Sequence, residues 1–330
     1  MRLTGPAGTD TLTWQHNNLD SNFVGAAVKI VITGATGFIG KALCTELCAH
    51  YELIALSRNA NRANMTLDGI ANVAQWDAVT IGDWARDIDG AFAVINLAGE
   101  NIATGLWTKK KKHKILHSRT GGTKVLIEAI KQAKKRPKVF VQASAIGFYG
   151  TQRDEKLDEL STKGTGFLSD VCGEAERSAE AVEKPGVRLV IIRTGLVLDT
   201  SGGALAKFTQ PFKIFLGGYP GSGNQWFSWI SLEDEVAAIK FLMENDSCSG
   251  PFNLTAPNPV RLKEFCVILG KVLKRPCWIR LPGFVLRLTL GQMADEMLLS
   301  SIKALPEKLL EAGFEFQHRN IKTLLCHMLR

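Results

Sequence analysis

From residue 28 onward the chain alternates between two rhythms of apolar and polar positions. Short, nearly unbroken apolar runs fall at 28–33, 52–56, 73–76, 92–99 and 138–144. Runs of that length, rich in Val, Ile and Ala, predict strands buried on both faces. Between them, 41–50, the stretch up to about 119, and 123–134 carry the spaced apolar positions of helices. Strand and helix in regular alternation predict an α/β fold built on a doubly wound parallel sheet. Farther on, 260–273 and 306–312 read as helices of a smaller, mostly helical lobe. The expected organisation is a disordered leader over 1–27 and a main domain over 28–247. The main domain carries an inserted substrate lobe at about 200–230, and 248–330 forms a small C-terminal domain. The leader is polar, lacks the apolar segment of a signal peptide, and precedes the first strand. A valine codon can serve as a start, so the natural chain is expected to begin at Val28.

The first strand meets the helix after it through Gly34-Ala35-Thr36-Gly37-Phe38-Ile39-Gly40. Three glycines at this spacing are weak by themselves in a chain with 31. Between a strand and a helix they predict a Rossmann-type pyrophosphate turn. Gly34 makes the tight exit, Gly37 admits the ligand to the backbone, and Gly40 lets helix and strand pack closely. Free N–H groups and the helix dipole then face the anion. The tip of the second strand reads Ser57-Arg58, with Arg62 one turn later and no acid before Asp68. An open tip with arginine favours NADP over NAD, which usually meets an acid there; the bland alternative is a solvated loop arginine. Asp77, ending the third strand, suits the adenine edge. Leu97-Ala98-Gly99, ending the fourth, permits another close approach to a ligand.

Composition narrows the class without changing it. A length of 330 residues with 45% hydrophobic and 22% charged content describes a globular protein able to bury a full core. No apolar run reaches membrane-span length, so no integral membrane association is expected. Seven scattered cysteines with no C-x-x-C pair point to thiols in a reducing, cytoplasmic compartment, with neither a disulfide framework nor a metal site. The net charge of +8 favours anionic ligands. Lys109 to Lys114, broken only by His113, is the densest charge. Without interleaved aromatics it reads as a solvated helix face, and no nucleic-acid partner is expected.

The segment Ser144-Ala145-Ile146-Gly147-Phe148-Tyr149-Gly150, at the end of the fifth strand, resembles the short-chain dehydrogenase/reductase superfamily, in its extended, epimerase/dehydratase branch. Gly202-Gly203-Ala204-Leu205, Leu216-Gly217-Gly218, Gly221-Ser222-Gly223-Asn224-Gln225 and Ser228-Trp229-Ile230 resemble the atypical SulA-like "epimerase family protein" subgroup. Asn253 to Pro257, Lys274-Arg275-Pro276 and Leu309 to Phe314 look like landmarks of its small C-terminal domain. The resemblance implies NADP held by the glycine turn, by Ser57-Arg58 and by Leu97-Ala98-Gly99. It also puts Arg119 near the cofactor and the segment containing Thr194-Gly195 on the nicotinamide side.

The superfamily works with a Tyr and a Lys four residues later, the Lys lowering the phenol's pKa. Four residues after Tyr51, Tyr149 and Tyr219 come Ala55, Arg153 and Gly223, so no such pair exists here. Aligning Glu176 with the acid that usually follows the pair puts Leu168 and Cys172 in the Tyr and Lys places. Ser144 matches the first of the usual two serines, and Ala145 the catalytic second. Ser144, as a site hydroxyl also near the cofactor, and Tyr149 are the catalytic candidates; packing is the default for Tyr149. Glu100 and Asn101, just past the fourth strand, and Gln225 and Trp229, in a ring-rich stretch, are substrate candidates. A packed lobe interior explains that stretch equally well. Residues 282–291, basic and apolar, read as a domain-packing segment, with a membrane-surface role as the alternative. Two functions follow. The first is an NADP-dependent oxidoreductase or epimerase acting on a small polar molecule. The second is a catalytically silent NADP-binding regulator or scaffold. Either leaves a homo-oligomer open.

Overall fold

In the computed structural model, which describes residues 28–151 and 154–329, β1 (Lys29–Thr33) sends Ile30 and Ile32 into one core and Val31 into another. The leader expected at 1–27 lies outside the described residues. The same period-two division repeats along β4 (Ala93–Asn96) and β5 (Val139–Ala145). Ala93, Ile95, Val139 and Val141 join the first core, and Val94 and Phe140 join the second. A strand buried on both faces must be apolar at successive positions, which is why these runs lack alternation. With β2 (Glu52–Ser57), β3 (Asn72–Gln75), β6 (Arg188–Thr194) and β7 (Gly250–Leu254) they form one sheet in the order β7-β6-β5-β4-β1-β2-β3. Every neighbouring pair is parallel. The order reverses between β1 and β4, the place where open α/β sheets bind ligands.

Helices α1 (Phe38–Leu47), α2 (Ala60–Leu67), α3 (Lys109–Gln132) and α4 (Phe167–Glu180) cross between strands. Two boundaries differ from expectation. Helix α1 starts at Phe38 rather than 41, with Gly37 as its extended N-cap, so the glycine turn delivers a helix terminus directly. Helix α3 runs unbroken through Gly121-Gly122, where two helices were expected. Gly122 is buried, and a Cβ there would stand 3.4 Å from the Trp76 ring, so this glycine is a packing contact and not a break.

The second lobe contains α5 (Gly203–Lys213), α7 (Leu262–Leu273) and α10 (Ile321–Leu329) around Phe212, Phe227, Trp229 and Phe265. Phe227 and Phe265 stack at 4.3 Å. Phe227 and Trp229 of the ring-rich stretch are therefore interior to this lobe, whereas Trp226 is half-buried against Arg261 and Lys303. The boundary expected after 247 does not divide the molecule: β7 belongs to the main sheet, and Leu309 of α9 (Glu307–Glu311), with Phe314 and Phe316, packs into the main core. Helix α6 (Leu232–Glu244) lies against α1 across that core, and α8 (Gly283–Leu290) buries none of its residues.

Candidate functional site

At the reversal point Thr33, the last residue of β1, anchors the turn. Its hydroxyl donates to Asn96 Oδ1 at 2.6 Å and accepts from the Ala98 N–H at 3.3 Å. Asn96 in turn donates to Thr123 Oγ1 at 3.0 Å and Gln142 Oε1 at 2.9 Å. Thr33, Asn96, Thr123 and Gln142 are almost wholly buried. A satisfied polar network in low dielectric is rigid, and this one fixes the ends of β1, β4 and β5 against α3. No local signal marks these four residues in the sequence, because each partner lies on a different element.

Gly34 then turns with φ +70°, and a Cβ there would stand 2.7 Å from the Leu97 carbonyl. Only glycine fits both the conformation and the contact. The Gly37 N–H closes the turn on the Gly34 oxygen at 2.9 Å. A Cβ on Gly40 would run into that same oxygen. Above the turn lies a cavity of about 700 Å³ that gathers Gly34, Thr36, Gly37, Ser57, Arg58, Asp77, Leu97, Ala98, Gly99 and Glu100. Arg62, His113, Lys114, His117 and Ser118 line it as well. The lysine run, read as a solvated face, thus sends Lys114 into the cavity wall. Helical spacing alone did not reveal this, because the neighbouring element was unknown.

The cavity is biased toward anions by Arg58, Arg62 and Lys114. Its two acids are already engaged. Glu100 pairs with Lys111 at 2.6 Å, and that hydrogen bond, aided by Lys114 and Arg58, holds its carboxyl below the ordinary range. Asp77 is held down to about 2 by hydrogen bonds from the Thr80 hydroxyl and the Thr80 and Val79 N–H groups. Arg119 sits one layer behind. Its guanidinium donates to the Glu100 and Ile115 carbonyls at 3.1 and 3.2 Å and lies where a Cβ on Gly99 would reach. Burial lowers its pKa. Arg119 buttresses the loop and is not among the cavity-lining residues.

Phe38 and Ile39 offer the start of α1; their side chains turn inward, and the Phe38 ring lies where Cβ atoms on Gly202 and Gly203 would fall. Thr194 and Gly195 sit at the end of β6, outside the cavity. The Thr194 hydroxyl donates to Glu235 Oε1 at 2.7 Å, and a Cβ on Gly195 would meet the Ser228 carbonyl at 2.8 Å. Asn101 is exposed, and its side chain accepts from the Ala103 N–H at 2.8 Å.

Three expectations are corrected. Tyr149 has no exposed surface; its hydroxyl donates to Asn253 Oδ1 at 2.7 Å and accepts from Arg193 at 3.0 Å, and burial pushes its pKa up to about 12. Trp229 is likewise fully buried, with its indole N–H on the Asn258 carbonyl. Gln225 spends its amide on the Pro220 and Leu298 carbonyls. Packing, and not a ligand, selects all three residue types.

Helix α4 presents Leu168 and Cys172 to the end of β5: a Cβ on Gly147 would lie 3.4 Å from Leu168 Cβ and 4.0 Å from Cys172 Sγ. Burial raises the Cys172 thiol to about 11, which leaves it unreactive near neutrality. Beside it the Ser144 hydroxyl donates to Glu176 Oε1 at 2.5 Å. Glu176 is itself clamped by Arg193 through contacts of 3.1 and 2.8 Å. The first turn of α4 takes its cap from far away: Glu296 accepts from the Phe167 and Leu168 N–H groups at 3.0 and 2.7 Å.

The strand order and the glycine turn put the molecule in the Rossmann-like class of α/β proteins. The chain belongs to the NAD dependent epimerase/dehydratase family, which it matches over residues 30–195. Residues 281–328 match a domain of unknown function, DUF1731. The epimerase family protein SDR39U1 homolog, chloroplastic, of Arabidopsis thaliana is 40% identical over 304 residues, covering 90% of this chain and 86% of the relative. The epimerase family protein YfhF of Bacillus subtilis is 36% identical, over 92% of this chain and 98% of the relative. Among solved structures, human epimerase family protein SDR39U1 (isoform 2) with NADPH superposes with a TM-score of 0.81. It is 29% identical, over 92% of this chain and 99% of the human one. UDP-glucuronic acid 4-epimerase from Bacillus cereus, at 15% identity, TM-score 0.73 and coverage of 92% and 98%, shares the fold.

Proposed function

We propose that this protein binds NADP(H) and acts as an oxidoreductase or epimerase on a small polar substrate, without the Tyr-Lys pair. The observation that carries the reading is the cavity itself: a glycine turn under a helix N-terminus, with Arg58 and Arg62 at the tip of β2 and the two lining acids, Asp77 and Glu100, already engaged by Thr80 and Lys111. The human relative's structure with NADPH supports the same cofactor. Gly34 and Gly37 would hold the pyrophosphate, Ser57, Arg58 and Arg62 the ribose phosphate, and Asp77 the adenine edge. When bound, the nicotinamide would donate or accept hydride. Of the two catalytic candidates Ser144 remains. Its hydroxyl is hydrogen-bonded to Glu176 and lies beside the Cys172 thiol, and in this reading it would be the site hydroxyl that meets the substrate.

Thermal shift tests the cofactor: NADPH should stabilise the protein more than NADH does. Replacing Arg58 with Gln should weaken NADPH by roughly 10- to 100-fold, the worth of one charge-assisted hydrogen bond, and leave NADH unchanged. Equal shifts for the two cofactors in the parent protein would refute the assignment. One observation favours a second reading, cofactor binding without turnover. The helix that should carry the proton donor presents a leucine and a high-pKa thiol. NADPH turnover on carbonyl compounds or nucleotide sugars, lost in Ser144→Ala, would support the enzyme; its absence across such a set would leave the binding reading.

A further inference from the structure

We propose that the face built from residues 214–216 and 278–288 is a docking surface for an anionic lipid bilayer. More than half of the large apolar side chains left exposed among the described residues lie in these two stretches. Leu288 is 86% exposed, Trp278 71%, Phe284 70%, Ile214 66% and Phe215 55%. The stretches are physically joined. The Trp278 indole donates to the Phe215 carbonyl at 3.0 Å, the Arg275 guanidinium lies 4.4 Å from the Phe215 ring, and 279–281 pair in parallel with 218–220. Helix α8 was expected to pack between domains, yet it buries none of its residues.

The charge carried by these stretches is predominantly positive. Between Glu264 and Asp295 there is no acid, and Lys271, Lys274, Arg275, Arg280 and Arg287 fall in that interval. Between Asp199 and Glu233 there is again no acid, and Lys207 and Lys213 add to the excess. Arg287 is partly offset by Asp295 at 2.7 Å; among the described residues no salt bridge engages the others. A second copy of the chain would bring like charge against like. An anionic membrane satisfies both features at once, with phosphates taking the guanidinium and ammonium groups and the acyl boundary taking Trp278, Phe284 and Leu288. No described helix is long and apolar enough to cross the bilayer, so the contact is peripheral.

Vesicle flotation of the full-length protein tests this. Phosphatidylcholine vesicles containing about one third phosphatidylserine should retain the protein at low salt and release it as salt rises. Pure phosphatidylcholine should retain at least about tenfold less. Two independent variants, W278S/F284S/L288S and R280Q/R287Q, should each lose binding at least about tenfold while keeping the parent's NADPH thermal shift. Equal retention on both vesicle types, or undiminished retention of both variants, would overturn the proposal. So would a parent protein that ignores vesicles and forms a dimer abolished by the apolar triple substitution, since a second copy would then cover the face.

Discussion

A phenol sealed from solvent cannot exchange a proton with a bound substrate, and at the residue scale this separates Tyr149 from the role its position invites. Tyr149→Phe should leave the NADPH-induced thermal shift unchanged while lowering unfolding free energy by about 1–3 kcal/mol in urea titration. The cost arises because Asn253 Oδ1 loses its donor in a buried place. Gly34→Ala should also cost stability but, unlike Tyr149→Phe, should abolish the cofactor response. Its methyl would press on the Leu97 carbonyl at a φ of +70°, so the ends of β1 and β4 must part. The expected result is loss of the NADPH shift and roughly 1–3 kcal/mol of stability, both read in one thermal-shift series. Gly34 was legible in the sequence because its constraint is local. For Tyr149 packing was the default reading, but its hydrogen-bond partner Asn253, 104 residues away, had no local signal.

Elements were readable to the degree that their signals were local. The first five sheet strands announce themselves as apolar runs and the glycine turn as a break between two rhythms, whereas β7, joined to the sheet only through β6, gave no such signal. Helix α3 was misread at Gly121-Gly122 because a glycine pair signals a break in isolation and close packing when Trp76 lies opposite. The rings from Trp226 to Trp229 could not be assigned, since a pocket wall and a lobe core share one composition. The cap of α4 had no signal at all. Gly166 has no side chain to offer, and the acceptor Glu296 comes from the DUF1731 segment. This contact fastens the C-terminal region to the helix whose first turn carries Leu168. Glu296→Ala should therefore cost about 1–2 kcal/mol in denaturant unfolding, the usual worth of a lost N-cap. It should also speed amide exchange at Phe167 and Leu168 before the rest of α4. Unchanged exchange at those two positions would show that the carboxylate does not hold the turn.

Across the whole molecule, the first turn of α6 joins the lobes. Asp234, fully buried, accepts from the Gln317 and His318 N–H groups at 2.8 and 3.0 Å, and from the Ser231 hydroxyl at 2.8 Å. Glu233 meets His318 at 2.6 Å. The acids that sequence alone assigned to the helix dipole thus also latch the C-terminal segment. The third acid, Glu235, behaves differently. Fully buried, it accepts one hydrogen bond, from Thr194, while its second oxygen has no partner, and burial pushes its pKa from an ordinary 4.5 up to about 8. Near neutrality it is a neutral carboxylic acid inside the fold. The unfolded chain releases that proton near the ordinary value, so between the two pKa values the folded state binds more protons. Stability is then fully present below the unfolded pKa and falls as pH rises through the window toward about 8. Glu235→Gln keeps the neutral shape and removes the proton linkage. Urea unfolding from about pH 5 to about pH 8 should show the parent losing on the order of a few kcal/mol relative to the glutamine variant. The two should converge at the acid end, whereas parallel profiles would mean that Glu235 ionises alike in both states and that its burial is relieved by water.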